Sequence, residues 1–135
     1  MQTPPPHHRT KIGLIILLGF VLLVEDIALI YSSIQQIPQS VSLLSLYAIS
    51  ISTILTFWVY YDSLSLNTSM GMDQAMYIFF GWPIMFPVYA FRSRGFRSGG
   101  LLLLALFGLS IISFIAAIVI TFVISVGIAI FSAGP

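Results

Sequence analysis

The sequence predicts an all-α, polytopic membrane protein with four apolar helical segments. Hydrophobic residues make up 59% of the chain and charged residues 7%, where an ordinary soluble domain carries about 25% charged residues. The mean hydropathy is +1.06, and a chain of 135 residues has too little interior to hide that much apolar side chain from water. Apolar stretches near the ~20 residues that a bilayer-crossing helix needs recur between short polar breaks. Residues 1–11 read as a disordered arm and 12–133 as a single transmembrane helical domain.

In the arm, Pro4-Pro5-Pro6 cannot donate backbone hydrogen bonds and favours an extended chain. His7-His8 is a weak metal candidate with no third ligand nearby. The first segment spans Lys11 to Ser33, with an apolar core from Ile12 to Val24, then Glu25-Asp26, then Ile27 to Tyr31. Its basic start and apolar run resemble a signal peptide. No small-x-small cleavage pattern follows, so the segment is expected to be retained.

Ser32 to Gln39 is an uncharged connection with Pro38 as its breaker. The second segment, Ser40 to Tyr61, ends in Phe57-Trp58-Val59-Tyr60-Tyr61-Asp62, and its Trp and Tyr residues mark a headgroup boundary. Ser45, Ala48, Ser52 and Thr56 share one face, where small residues allow another helix close. A polar loop from Asp62 to Gln74, containing Asn67 and Gly71, leads to the third segment, Ala75 to Phe91. Pro83 and Pro87 inside it remove helix hydrogen bonds and predict a kink. Arg92, Arg94 and Arg97 close it.

The fourth segment, Gly100 to Phe131, would measure nearly 50 Å as one helix, against a hydrocarbon core of about 30 Å. A long tilted helix is expected, with Gly108 as its candidate break. Ser113, Ala117, Thr121, Ser125 and Ala129 recur every four residues, continuing to Ala133, as a small-residue packing stripe.

Lys and Arg concentrate on the cytoplasmic side of membrane proteins. If all four segments cross, the favoured arrangement, Arg9 and Lys11 lie opposite Arg92, Arg94 and Arg97. If the third segment instead enters and leaves on one side, all five basic residues share a face. Such a re-entrant turn is tolerated only under cover of other helices. Asp62 and Asp73 would then share that face with Arg92, Arg94 and Arg97 as loop ion-pair candidates, each exposed pair worth under about 1 kcal/mol. The same arginines suit anionic headgroups.

Glu25 and Asp26 are the candidate intramembrane acids. An acid at the centre of a membrane helix costs roughly 2.5–3.5 kcal/mol on insertion scales. Three roles fit: proton relay or cation binding, a headgroup-boundary position if the first segment ends near Val24, or hydrogen bonds to the hydroxyls of the second segment.

The stretch from Trp58 to Gly99 resembles a group of small bacterial integral membrane proteins. The matching pieces are Trp58-Val59-Tyr60-Tyr61-Asp62, Trp82-Pro83, Pro87-Val88-Tyr89 and Phe91-Arg92-Ser93-Arg94-Gly95. The resemblance implies a bacterial inner (cytoplasmic) membrane location and brings no activity with it. It points to Asp62, Trp82, Pro83, Pro87 and Arg94 as one unit.

A net charge of +1 gives no field for nucleic acid. Absence of cysteine excludes disulfides, thiolate metal sites and palmitoylation. No nucleophile elbow or phosphate loop occurs, so neither an enzyme nor a cofactor site is expected. The expected partners are the lipid bilayer and other membrane helices, in a homo-oligomer or as an accessory subunit of a host complex. A small channel or transporter using Glu25 or Asp26 is the alternative. Lipid or pigment binding by the aromatic third segment is the weaker one.

Overall fold

The structure is a computed structural model that describes residues 8–66 and 71–132. The polyproline run, His7, Asn67 and Ala133 lie outside those residues. The described chain is helical, with α1 at His8–Ile34, α2 at Val41–Ser65 and α3 at Met72–Ser132. All three helices are long and apolar enough to cross a membrane. Large apolar side chains from Ile12 to Phe131 cover the outer surface, as lipid solvation allows.

α1 starts three residues earlier than the sequence suggested, so Arg9 and Lys11 are helical rather than part of an extended arm. It continues through Glu25 and Asp26 without interruption, so the helix itself does not end near Val24. α1 closes on a left-handed Gln36 (φ 54°), with Ile37 N–H donating to the Ser32 carbonyl at 3.0 Å. That bond closes the six-residue ring of a Schellman motif, so the helix stops before Pro38 acts. Ser40 then caps α2, its side chain accepting from Leu43 N–H at 3.2 Å.

The third and fourth predicted segments both fall within the stretch labelled α3, which non-helical backbone at Gly81 and Gly95 divides. Pro83 and Pro87 keep helical backbone, so the expected proline kink falls instead on the glycine just ahead of them. Pro83 sits in the first turn after Gly81, where a missing N–H leaves no bond unmade. Gly95 makes the sharper change, at φ 74° and ψ 170°, a region open essentially only to glycine. Beyond it the chain folds back on itself. A Cβ at Gly99 would lie 2.6 Å from the Ala90 carbonyl oxygen, whereas in a straight helix these residues stand about 13 Å apart. Phe91 and Phe96 stack across the bend at 5.3 Å. The expected break at Gly108 does not occur.

The core sits toward one end of the bundle. Leu18 of α1, Ile51, Ile54, Leu55, Trp58 and Val59 of α2, and Ile78, Phe86 and Tyr89 of α3 are buried there. The buried residues of α2 fall between Ile51 and Ser63. On its predicted small-residue face Ser52 and Thr56 are therefore buried, while Ser45 and Ala48 are exposed.

Candidate functional site

Asp62 is the hub of that end. It lies one turn before the end of α2 and is fully buried. A carboxylate taken out of water persists only if charges and hydrogen bonds replace its hydration. Asp62 draws these from two other helices. Lys11 Nζ of α1 donates to Oδ1 at 3.2 Å. Arg94 Nη2 donates to the same oxygen, and Tyr89 Oη donates to Oδ2 at 3.1 Å. One acid thus ties together the start of α1, the end of α2 and the bend of α3.

Trp58 lies one helical turn before Asp62. The Arg94 guanidinium carbon stands 5.7 Å from the indole centroid, a cation–π distance. Phe86 packs on the same indole at 5.9 Å. Two buried donors beside the cluster, Trp58 Nε1 and Arg94 Nε, have no acceptor among the described residues.

Of the predicted loop ion-pair residues, the structure brings together only Asp62 and Arg94. Asp73, Arg92 and Arg97 are exposed and form no ion pair among the described residues. Asp73 sits instead in the first turn of α3, where a negative charge complements the helix dipole. The flanking loop is shorter than expected, because helix extends to Ser65 and resumes at Met72. Asp62 is consequently a buried helical residue and not a loop residue.

Sequence reasoning missed Lys11 and Tyr89 as partners of Asp62. A signal existed for both. The re-entrant alternative grouped Lys11 with Arg94, and the Pro-x-Tyr motif contains Tyr89. The motif residues Trp82, Pro83 and Pro87 make no hydrogen bond to Asp62 among the described residues.

The second polar contact lies deeper along α1. Ser113 Oγ donates to Asp26 Oδ2 at 2.8 Å, linking α1 to α3. The expectation of a bond to the hydroxyls of the second segment is thus corrected: the partner comes from the small-residue stripe of the fourth. Glu25 is half-buried beside it. On the stripe, Ser113, Ala117 and Thr121 are buried, whereas Ser125 and Ala129 are exposed. The first three positions pack within this chain.

Among the described residues, no three His, Asp or Glu side chains gather where they could hold a metal ion. A scan against protein-family models, a search of curated proteins and a search of solved structures each return no match for this chain.

Proposed function

We propose that the protein is a small multi-pass membrane protein that acts by assembling with other membrane helices, as a homo-oligomer or as an accessory subunit. The observation that carries this reading is the far part of α3. Asp26 and Ser113 mark one level in the bundle. α1 ends at Ile34, about 12 Å beyond that level, while α3 continues to Ser132, about 28 Å beyond it at 1.5 Å per residue. Phe122, Val123, Ile124, Val126, Ile128, Ile130 and Phe131 are exposed there, and Ser125 and Ala129 continue the stripe. Ala117 and Thr121 are already covered within the chain, and the exposed continuation of the stripe at Ser125 and Ala129 is the face offered to a second helix. Replacing both by Leu is expected to abolish crosslinking between copies, or to a host protein, in native membranes. Unchanged crosslinking would refute the assembly role.

The arrangement in the membrane that we favour is three crossings with residues 72–94 re-entrant, in place of four crossings. Lys11 and Arg94 share Asp62, which supports placing all five basic residues on one face. The positive-inside rule then makes that face cytoplasmic, and by the bacterial resemblance the membrane is the inner one. Ala75, Ile78, Phe86, Tyr89 and Ala90 of the 72–94 stretch are buried within the chain, while Tyr77, Phe80, Ile84 and Val88 face outward, so a further helix would complete the cover that a re-entrant turn requires. The chain has no cysteine, so single cysteines can report sidedness. Thr10→Cys and Ser98→Cys should label from the same side and Gln35→Cys from the other. Labelling of positions 10 and 98 from opposite sides would restore four crossings.

A second reading rests on the Asp26–Ser113 contact inside a spanning region. Intramembrane acids are candidates for proton or cation pathways. Here Glu25→Gln or Asp26→Asn would abolish a flux carried by purified protein in proteoliposomes, and a flux-free wild type would exclude the reading.

A further inference from the structure

A cavity of about 170 Å³ lies between α1, α2 and α3. Leu18, Leu55, Phe86 and Leu106 supply apolar walls. Its size is close to that of an engineered apolar void of about 150 Å³ that stays dry and takes up benzene. Such a space accepts a short length of hydrocarbon in preference to water. It is not sealed. Ile15 and Ala105 also line it and are exposed on the outer surface, so a mouth opens laterally where lipid tails lie.

The polar side of the cavity is distinctive. Trp58 is a wall of the cavity and also the aromatic face beneath Arg94. Its Nε1 is buried without an acceptor among the described residues, as is Arg94 Nε. A buried donor without a partner is rare and calls for an explanation. One such donor on a residue that walls the cavity, and a second on the arginine over that same indole, match a molecule with oxygen acceptors at the top of a hydrocarbon tail. Charge sets the kind of head. Asp62 offsets only one of Lys11 and Arg94. Arg92 and Arg97 stand exposed on the same stretch of chain, adding to the surplus that draws anionic lipid.

We propose that this cavity binds one acyl chain of an anionic phospholipid, whose head-end oxygens accept hydrogen bonds from Trp58 Nε1 and Arg94 Nε. The chain enters between α1 and the 96–132 arm, past Ile15 and Ala105. The binding site is complete within one copy of the protein, so it stands whether or not the protein assembles.

The test uses the full chain carrying Trp82→Phe, which leaves Trp58 as the remaining tryptophan of the two. The protein is reconstituted into phosphatidylcholine vesicles doped with equal fractions of either chain-brominated phosphatidylglycerol or chain-brominated phosphatidylcholine. Trp58 fluorescence should be quenched more strongly by the brominated phosphatidylglycerol. Ala105→Phe, which fills the mouth from an exposed position, should remove that excess. The same variant should lose the phosphatidylglycerol that the parent protein retains in native mass spectrometry. Equal quenching by the two lipids, or an excess that survives Ala105→Phe, would overturn the proposal.

Discussion

Gly99 lies against the backbone of Ala90, so close that a Cβ on Gly99 would sit 2.6 Å from the Ala90 carbonyl oxygen and 3.0 Å from Phe91 Cα. Backbone cannot step aside as a flexible side chain can. Gly99→Ala should therefore spread the two arms of α3 and cost about 1–3 kcal/mol, the usual range for overpacking. Gly100→Ala is the control, since its nearest new contact is Phe91 Cε1 at 4.0 Å. Unfolding in mixed micelles should separate the two variants clearly, and equal stability would mean that the arms are not in contact.

Gly95 tests the same bend by a different physical route. A Cβ there meets nothing within 4 Å, so no clash arises. The penalty comes from φ 74° and ψ 170°, where a side chain strains its own backbone by roughly 1–3 kcal/mol. Gly95→Ala should destabilise, and Gly99→Ala added to it should cost less than the sum, because both act on one bend. Strict additivity in the same unfolding assay would place the two glycines in independent features.

The helical class, the end of α1 and the start of α2 were legible in composition and in the apolar run lengths, whereas α1 begins three residues earlier and α2 ends four residues later than those runs. The bend was not legible. The sequence reading gave the break to Pro83 and Pro87, because a proline removes a hydrogen bond wherever it sits inside a helix. With Gly81 leaving the helical conformation just before it, Pro83 becomes a first-turn residue and disrupts nothing. Gly95 carries the reversal, yet it looked like a spacer between arginines. The site was half legible. Asp62 and Arg94 emerged as neighbours from motif and topology, but burial decides the importance of Asp62, and burial depends on how three helices converge. The Asp26 partner was misassigned for a similar reason, since the hydroxyls of α2 and of the fourth segment look alike until the packing is known.

Asp62 is fully buried and holds Lys11, Arg94 and Tyr89. Asp62→Asn leaves two cations without their carboxylate, and breaking a buried pair this way costs about 3–5 kcal/mol. Tyr89→Phe removes one hydrogen bond to a charged group and should cost less, about 1.5–3 kcal/mol. Salt screens exposed pairs and spares buried ones. The stability lost in Asp62→Asn should therefore change little between low and high ionic strength. A loss that disappears at high salt would show that the pair is solvent-exposed.

Gln36 holds a left-handed conformation at φ 54°, which a residue with a Cβ adopts at a cost of roughly 1–2 kcal/mol. Glycine adopts it freely. Gln36→Gly should thus raise stability by about 1 kcal/mol or somewhat less, since glycine also loosens the unfolded chain. Ser40→Ala, at the other end of the same connection, should lower it by about 1 kcal/mol through loss of the α2 cap. Opposite signs for two substitutions four residues apart would locate the effect in backbone geometry and capping. A destabilising Gln36→Gly would place the α1 terminus elsewhere.

Ser113 and Asp26 form a hydrogen bond of 2.8 Å between α3 and α1, in a region with few other polar contacts. Interhelical hydrogen bonds in membranes are worth about 0.6 kcal/mol on average and up to about 1.7. Ser113→Ala should lose an amount within that range. Asp26→Asn keeps a side-chain oxygen that can accept from Ser113, and should lose less than Asp26→Leu. A double-mutant cycle between Ser113→Ala and Asp26→Leu should show coupling, since each removes the same bond. The cycle also bears on the transport reading. If Asp26→Asn leaves stability near that of the wild type yet abolishes a flux, the acid serves ion passage. If it shifts stability alone, the acid serves helix packing, and the polar pair joins the Asp62 cluster as a second tie between α1 and α3.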